Sequence, residues 1–553
     1  MPSFVKQLDL KFILSVFCIF FVFSSSPYLY GHLSTPAAQK FVGQVGWDVA
    51  GSYMYFMWER QAVEGSVLLQ NRLTPEEHEP FYFNPEWLLL GRMVKYTGLP
   101  LTAAFHLERF LTVLFAFTIL YYLLTCFFEH EYERRVVFLW IVLTSGFGWI
   151  FWLIAHIGGI SWNIRVWDVE GVNLFGYLIN KPHVIRSLAM ICLSYALLLK
   201  GEGSGRKVYF VLAGLTILVQ GFIRPYDLPT AFLLLAFFPI LLLLREGRSS
   251  TNARVNNYLL AALTAAPIYL YYVALHRLSV LKDSFKAVDF PAFTPLELII
   301  WLGVPFILMI AAFDGIESWR KWSASKLFLY LWYAVVLILI YAYPIVPWGM
   351  ESAGLCYIVA PILAGMFLLQ KVAPRFLETR FFQWISRSFH VTRSGLAALA
   401  CAPVILASVP SNVVLTAKLF QNLAQHSRPY YIPKDVADAF RWLDLHADQA
   451  SLVLSHPGNG YHLPVDAGVR AFVGHGHFTI NYQQKVEQML YFYNGAASDL
   501  YRRELLKKYG IDYVFFSDLE KTAGAFDPAA APYLTKVYAN ATTAVYKVVT
   551  DRL

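Results

Sequence analysis

The stretch from Lys207 to Arg245, KVYFVLAGLTILVQGFIRPYDLPTAFLLLAFFPILLLLR, contains two apolar runs joined by a short polar turn. The runs, 208–223 and 228–244, carry no charged residue, and a basic residue stands at the far end of each. A helix needs about 20 apolar residues to cross the hydrocarbon core, and flanking residues complete a shorter run. The pattern therefore predicts a hairpin of two membrane-spanning helices, with the turn IRPYD at one membrane surface.

The rest of the chain repeats this pattern. Of its 553 residues, 57% are hydrophobic and only 15% are charged, whereas roughly 25% are charged in soluble proteins. Residues 1–30 form a further apolar segment, which we interpret as a retained first span rather than a signal peptide because no A-x-A cleavage site follows it. We expect about eleven spans, the others lying at 110–128, 136–155, 187–199, 255–275, 298–313, 327–350, 352–370 and 394–417.

The distribution of lysine and arginine predicts the orientation of these spans. Eighteen of these residues fall in the N-terminus and in every second loop, and six fall in the intervening short loops. Because the basic excess stays in the cytoplasm, we expect a cytoplasmic N-terminus, an extracytoplasmic tail and a multi-pass protein of the cytoplasmic (inner) membrane. This topology accounts for the net charge of +8, so we expect the lipid bilayer and no nucleic acid as a partner.

The predicted fold class is a polytopic α-helical membrane protein with a C-terminal extracytoplasmic α/β domain. Its expected parts are a first span (1–30), an external loop with interfacial helices (31–101), a bundle of about ten helices (102–417) and a soluble domain (428–553). In the loop, DVAGSYMYFMWERQAVEG (48–65) predicts an amphipathic helix lying in the membrane interface, and 85–96 predicts a second one. In the soluble domain, the segments SLVLS, RAFVG and DYVFF predict strands that alternate with helices at 435–446 and 482–508.

The positions of the ionisable residues point to the kind of chemistry. The apolar runs contain none of them, which disfavours an ion-coupled transporter. Acidic and basic residues gather instead at the predicted outer ends of the helices. This pattern suits transfer from a lipid-anchored phosphate donor, in which a carboxylate takes a proton from an acceptor hydroxyl and basic groups stabilise the departing phosphate. The alternative is that they are solvated charges at a polar interface.

The layout resembles that of the GT-C glycosyltransferases, which include the protein O-mannosyltransferases and the lipid A aminoarabinose transferases. The resemblance covers residues 1–230 and rests on the first span, the loop motif GWDVAGSYMYFMWERQAVEG and the segment NPEWLLLGRMVKYTGLPLTAAFHLERFLTVL. It implies a membrane enzyme that uses a polyprenyl-phosphate sugar, usually with inversion. It also implies Asp48 as the catalytic base, and it places a set of basic residues near the donor phosphate: Lys181, His183, Arg186 and Arg224.

The resemblance leaves several points open. Some GT-C enzymes carry a second acid beside the first, whereas Val49 follows Asp48 here. Glu76, Glu77 or Glu79 is then a possible second acid or metal ligand, and dependence on a divalent metal (Mg or Mn) stays undecided. The acceptor is an unknown glycan, lipid or protein. The tail motifs HPGNGYHLP and GHGHFT, with His462, His475 and His477, are interpreted as ordinary turns of a domain that binds or orients the acceptor.

Two alternatives of other kinds remain. A lipid-linked oligosaccharide ligase or polymerase would use external arginines and need no carboxylate base. A non-enzymatic membrane carrier or assembly protein would use its tail to bind a partner.

Overall fold

A computed structural model describes residues 7–159, 164–246, 251–277, 293–342, 345–346 and 349–553. Four of the basic residues in the charge count, Lys6, Arg248, Lys282 and Lys286, lie outside this part of the chain. The chain divides into two compact units. The helical unit comprises Met1–Ser26, Glu108–Tyr271 and Phe290–Leu419, and the α/β unit comprises Pro27–Leu107, Tyr272–Asp289 and Phe420–Leu553.

Long apolar helices dominate the described residues. Eight of them are long enough to cross a membrane: Leu10–Leu33, Leu101–Leu124, Glu131–Gly158, Pro182–Ser204, Pro225–Glu246, Ala253–His276, Ala324–Tyr341 and Glu351–Leu377. A bent pair, Arg393–Leu406 and Pro410–Ala424, and two shorter apolar helices, Lys207–Ile223 and Pro295–Ala311, complete the set. In the described ranges, eight helices, or nine segments if the bent pair is one span, are long and apolar enough to cross a membrane, and the two shorter helices lie at the predicted runs 208–223 and 298–313. The polytopic helical fold class is therefore confirmed.

Interrupted helices are a feature of the helical unit that the apolar runs did not predict. The span Glu131–Gly158 is divided into Glu131–Leu143 and Gly148–Gly158, the helix Pro295–Ala311 is non-helical at Gly303, and the pair near residue 408 bends by 51°. Backbone groups released inside a membrane must find partners within the protein. Here the residues at the breaks form hydrogen bonds with one another. The backbone N–H of Phe147 donates to Ile300 O at 2.6 Å, Ser145 Oγ donates to Ser408 O at 2.6 Å, and Asn412 Nδ2 donates to Leu143 O at 2.7 Å.

The α/β unit is built on a five-stranded mixed sheet. Two further strands, β1 (Gln39–Phe41) and β2 (Tyr431–Pro433), pair antiparallel, so the first loop and the tail share a small sheet. The strands of the five-stranded sheet are β3 (Leu452–Leu454), β4 (Arg470–Ala471), β5 (Tyr513–Phe516), β6 (Leu534–Ala539) and β7 (Ala544–Val548). Their order is β4-β3-β5-β7-β6, in which β3 is parallel to β4 and β5, and β7 is antiparallel to β5 and β6. The principal helices of the tail are Lys434–His446, Tyr482–Tyr493 and Asp499–Tyr509.

The first-loop helices belong to the same unit as the tail. Helices form at Val49–Glu64 and Pro85–Thr97, close to the predicted bounds. The apolar side chains of the first helix are buried against protein, since Tyr53 contacts the ring of Tyr461 and Trp58 contacts that of Phe478. The stripe, which predicted membrane contact from the sequence, thus packs on the tail and on other parts of the unit, as the contact of Phe56 with Phe105 shows. An amphipathic pattern alone does not distinguish burial in protein from contact with lipid.

Candidate functional site

A buried group of basic residues lies at the start of the helix Pro182–Ser204 in the helical unit. Lys181 stands between this helix and the preceding helix Leu174–Asn180, and Pro182 occupies the first helical position. Lys181 and His183 are each only 6% exposed. The start of a helix carries partial positive charge and unsatisfied N–H groups, which favour an anion. Basic side chains buried at this position therefore suit the binding of a phosphate.

Arg186 lies one turn further along this helix and is held by neighbouring groups. Its Nη2 donates to Glu108 Oε1 at 3.0 Å and to Thr112 Oγ1 at 2.6 Å, and Glu108 is buried. The hydrogen bonds join the helix Pro182–Ser204 to the helix Leu101–Leu124. Glu108 thus balances part of the positive charge of the group and fixes the direction of this guanidinium.

Arg224, the fourth predicted phosphate ligand, is a buried cation between two carboxylates. Its Nη1 donates to Asp227 Oδ2 at 2.9 Å, and its Nη2 donates to a carboxylate oxygen of Glu351. Ser187 Oγ donates to the same Asp227 oxygen at 2.8 Å. Because Ser187 directly follows Arg186, one hydrogen-bonded chain joins the turn at Arg224 to the helix that carries the other candidates. The two carboxylates compete with a phosphate for the charge of Arg224.

Asp48, the predicted base, caps the first-loop helix of the α/β unit. Its Oδ1 accepts the backbone N–H of Gly51 at 2.8 Å, which is an N-cap hydrogen bond. A Cβ at Gly51 would lie 2.1 Å from the other carboxylate oxygen, so residue 51 must be a glycine for this cap to form. The geometry therefore gives Asp48 a defined orientation and a structural role of its own.

Three glutamates of the same loop were predicted as a second acid or as metal ligands. Glu76 Oε1 accepts a hydrogen bond from Lys485 Nζ at 2.6 Å, while the side chains of Glu77 and Glu79 are exposed. In the ranges that the structure covers, no three His, Cys, Asp or Glu residues are grouped so that they could hold a metal ion. These donors do not fit a metal site, and we assign no step to a metal.

The tail turns contain buried polar side chains that bind one another. In HPGNG, the backbone N–H of His456 donates to Glu520 Oε1 at 2.7 Å and Asn459 Nδ2 donates to Ser517 Oγ at 2.9 Å. His462 lies with its Nδ1 2.9 Å from Asp466 Oδ2, and burial lowers the pKa of its imidazole. These groups tie together the loops that follow β3 and β5.

Asp168 is a buried acid whose importance the sequence did not reveal. It lies in a short helix, Trp167–Glu170, after the broken span, and its Oδ2 accepts the backbone N–H of Gly148 at 3.0 Å. Burial raises the pKa of this carboxyl to about 6, although hydrogen bonds partly oppose the shift. In the sequence, Asp168 and Glu170 are simply two acids of a loop. The glycines around them are the available signal, because Gly148 and Gly171 mark a helix start and a tight turn.

Solved structures of known proteins share this fold. AglB, an archaeal oligosaccharyltransferase from Archaeoglobus fulgidus in complex with an inhibitory peptide and a dolichol-phosphate, is 13% identical over 91% of this chain and 69% of that chain, with a TM-score of 0.53. Another structure of that enzyme contains Zn and sulfate. The arabinofuranosyltransferase AftD from Mycobacteria is 13% identical over 98% of this chain and 40% of that chain, with a TM-score of 0.55.

The third similar protein is ArnT from Cupriavidus metallidurans, bound to undecaprenyl phosphate. It is 12% identical over 95% of this chain and 97% of that chain, with a TM-score of 0.50. No protein-family model matches the sequence, and no curated protein sequence matches it either. The chain thus has the fold of the GT-C superfamily of integral membrane glycosyltransferases. Of these three proteins, ArnT is similar to this chain over nearly the full length of both chains.

Proposed function

We propose that this protein is a GT-C glycosyltransferase that moves a sugar from a polyprenyl-phosphate donor to a hydroxyl acceptor on the outer side of the membrane. The observation that supports this most is the buried basic start of the helix Pro182–Ser204, in a fold similar to that of a protein bound to undecaprenyl phosphate. A polyprenyl phosphate is an anion on an apolar chain. Buried cations in a membrane-embedded unit match both properties.

In this proposal, Lys181, His183 and Arg186 bind the donor phosphate. During transfer, the bond between the anomeric carbon and the phosphate oxygen breaks, and the departing phosphate gains negative charge. Fixed cations stabilise that charge without rearranging, which is a large part of catalysis in such sites. Arg224 contributes through the chain Asp227–Ser187, which fixes the helix that presents the other three residues.

Asp48 is the proposed general base. It removes the proton from the acceptor hydroxyl as that oxygen forms its bond to the anomeric carbon, and the electron pair of the broken bond leaves with the phosphate. The N–H of Gly51 holds the carboxylate in one orientation. Base catalysis of this kind contributes about 10²–10⁴-fold to a rate.

The test uses two substitutions of Asp48 in the purified full-length protein. Asp48→Asn keeps an oxygen that accepts the N–H of Gly51 but cannot take a proton, whereas Asp48→Ala also removes the cap, at a cost of about 1 kcal/mol. We expect Asp48→Asn to retain the wild-type melting temperature and to lose sugar transfer about 10²–10⁴-fold. The assay follows radiolabelled sugar from a panel of polyprenyl-phosphate sugars to alcohol acceptors.

A second measurement separates donor binding from chemistry. Lys181→Gln is expected to weaken binding of undecaprenyl phosphate about tenfold, as loss of one charge-assisted hydrogen bond implies, whereas Asp48→Asn leaves this binding unchanged. Lys95→Gln removes an exposed cation from a first-loop helix and serves as the control. Full transfer by Asp48→Asn would contradict the base assignment and favour a ligase that needs no carboxylate. Equal donor affinity in all variants would contradict the phosphate site.

A further inference from the structure

A short amphipathic helix, Arg380–Phe389, lies in the helical unit apart from the proposed site. Its sequence is RFFQWISRSF. At 100° per residue, the aromatic and aliphatic side chains fall on one arc, which Ser388 interrupts, and the other polar side chains fall on the opposite arc. The apolar arc comprises Phe381, Phe382, Trp384, Ile385 and Phe389, and the polar arc comprises Arg380, Gln383, Ser386 and Arg387.

The apolar arc is largely uncovered by protein. Only Phe382 is buried, and it docks the helix onto the unit, whereas Phe381, Trp384 and Phe389 are 62%, 56% and 65% exposed. Their rings form one continuous patch, since Trp384 lies 6.4 Å from Phe381 and 5.9 Å from Phe389 between ring centroids. An exposed patch of large aromatic side chains is costly in water and indicates a surface that is covered in use.

The position of the helix in the chain identifies what covers it. It follows the span Glu351–Leu377 by two residues and precedes the bent pair that begins at Arg393 by three. Two membrane-crossing segments therefore anchor its ends, which places the helix at a bilayer surface. Helices of this composition lie in the interface with the aromatic face toward the acyl chains.

Most charges of this segment are cationic. Arg375, Arg380, Arg387 and Arg393 are exposed, and the structure gives none of them an ion pair within its described ranges. Glu378 is the one acid between Arg375 and Arg393. Arg380 and Arg387 lie two turns apart on the polar face, where they can reach phosphate groups beside the embedded aromatic rings.

We propose that Arg380–Phe389 is an interfacial helix that binds anionic lipid head groups. Phe381, Trp384 and Phe389 enter the boundary between head groups and acyl chains, and Arg380 and Arg387 bind lipid phosphates. The proposal does not depend on the glycosyltransferase function, because no residue of the phosphate or base sites takes part in it.

The depth of the helix is tested with the full chain in nanodiscs of phosphatidylcholine. Fluorescence quenching by lipids brominated near the glycerol backbone or near the chain ends is measured for the wild type and for Trp384→Phe, and the difference reports on Trp384. We expect the strongest quenching of Trp384 by the shallow bromines. Equal and weak quenching by both lipids would place Trp384 in water and overturn the proposal.

Lipid selectivity is tested by native mass spectrometry of the protein released from mixed bilayers of phosphatidylcholine and phosphatidylglycerol. Each arginine near an anionic surface contributes about fivefold to binding. The double variant that carries Arg380→Gln and Arg387→Gln loses two arginines, so it should bind its tightest phosphatidylglycerol about 25-fold more weakly than the wild type. The matched control, Arg320→Gln with Lys321→Gln, removes two exposed cations from the segment Ile316–Lys321 and should retain it. Equal loss in both double variants, or no loss in either, would contradict a specific role of this helix.

Discussion

At the scale of single residues, Asp168 and Gly148 show how a buried acid is built into the helical unit. Asp168 Oδ2 accepts the N–H of Gly148, and a Cβ at Gly148 would lie 2.0 Å from Asp168 Oδ1, so a side chain at position 148 would displace this carboxylate. Within the described residues, Oδ1 is buried without a hydrogen-bond partner. The burial that brings these atoms together disfavours the charged carboxylate, which explains the pKa of about 6.

This pKa predicts a pH dependence of stability. A carboxyl whose pKa is higher in the folded than in the unfolded protein stabilises the fold below the unfolded value of 3.8, and this contribution is lost as pH rises through about 6. The asparagine in the Asp168→Asn variant does not titrate, so the stability of the variant lacks this pH dependence. We expect the stability of the variant relative to the wild type to rise by roughly 2 kcal/mol between pH 4 and pH 7, since one pKa unit corresponds to about 1.4 kcal/mol.

The measurement is the melting temperature of both proteins in detergent across this pH range. Glu170→Gln, which removes an exposed neighbouring carboxylate that pairs with Lys418, is the control. Parallel melting curves for Asp168→Asn and the wild type would show that Asp168 does not titrate in this range.

Single residues also show which parts of the site can be predicted from the sequence. The sequence singled out Asp48 and the basic residues by type and position, and the structure adds what they contact. The N-cap role of Asp48 was readable from Asp-Val-Ala-Gly at a helix start. Of the two carboxylates that hold Arg224, Asp227 lies in the same turn, but Glu351 could not be predicted because it is 127 residues away and only the folded chain brings it there.

At the scale of elements, the breaks inside the membrane helices distinguish this unit from a simple bundle. Gly303 has φ 65° and ψ −144°, a conformation that only glycine adopts readily. A Cβ there would lie 2.7 Å from the backbone oxygen of Ser145, next to the break in the span Glu131–Gly158. The two helices therefore meet at their breaks, backbone against backbone.

Gly303→Ala is expected to be strongly destabilising for this reason. Strain at a left-handed φ costs about 1–3 kcal/mol, and the close contact with Ser145 adds to it, so we expect a loss of roughly 2–4 kcal/mol. Gly203→Ala is the matched control, since Gly203 lies in a helix and a Cβ there would meet nothing within 4 Å. Comparable melting temperatures for the two variants would contradict this account of the junction.

Element prediction succeeded where one local pattern decides the outcome. Apolar length predicted most of the spans, and alternating runs predicted the strands of the tail and the helix Lys434–His446 close to their observed bounds. The predicted helix 482–508 is instead two helices, Tyr482–Tyr493 and Asp499–Tyr509. The helix breaks escaped prediction because an apolar run looks the same whether it is continuous or interrupted. The burial of the Val49–Glu64 stripe also depends on partners about 400 residues away, such as Tyr461.

At the scale of the whole molecule, the α/β unit joins the first loop to the tail. Arg60 Nη2 donates to Asp444 Oδ1 at 2.5 Å, and Arg72 Nη1 donates to Gly468 O at 2.8 Å. Arg72 is only 6% exposed and also pairs with Glu64 at 2.8 Å. The predicted external loop and the predicted soluble domain are thus bound to each other, and any topology must place both on the same side of the membrane.

That requirement agrees with the orientation that the charges predict. Eighteen lysines and arginines lie on one set of turns and six on the other, which favours a cytoplasmic N-terminus. An odd number of spans, such as eleven, then puts the tail outside.

Fusions to reporter proteins test this orientation. We expect alkaline phosphatase fused after Leu553 to be active in bacterial cells and the same enzyme fused after Lys321 to be inactive. Green fluorescent protein is expected to fluoresce after Lys321 and not after Leu553. An inactive phosphatase after Leu553 together with an active one after Lys321 would reverse the orientation. The proposed outer location of Asp48 would then fail with it, because Asp48 and the tail belong to one unit.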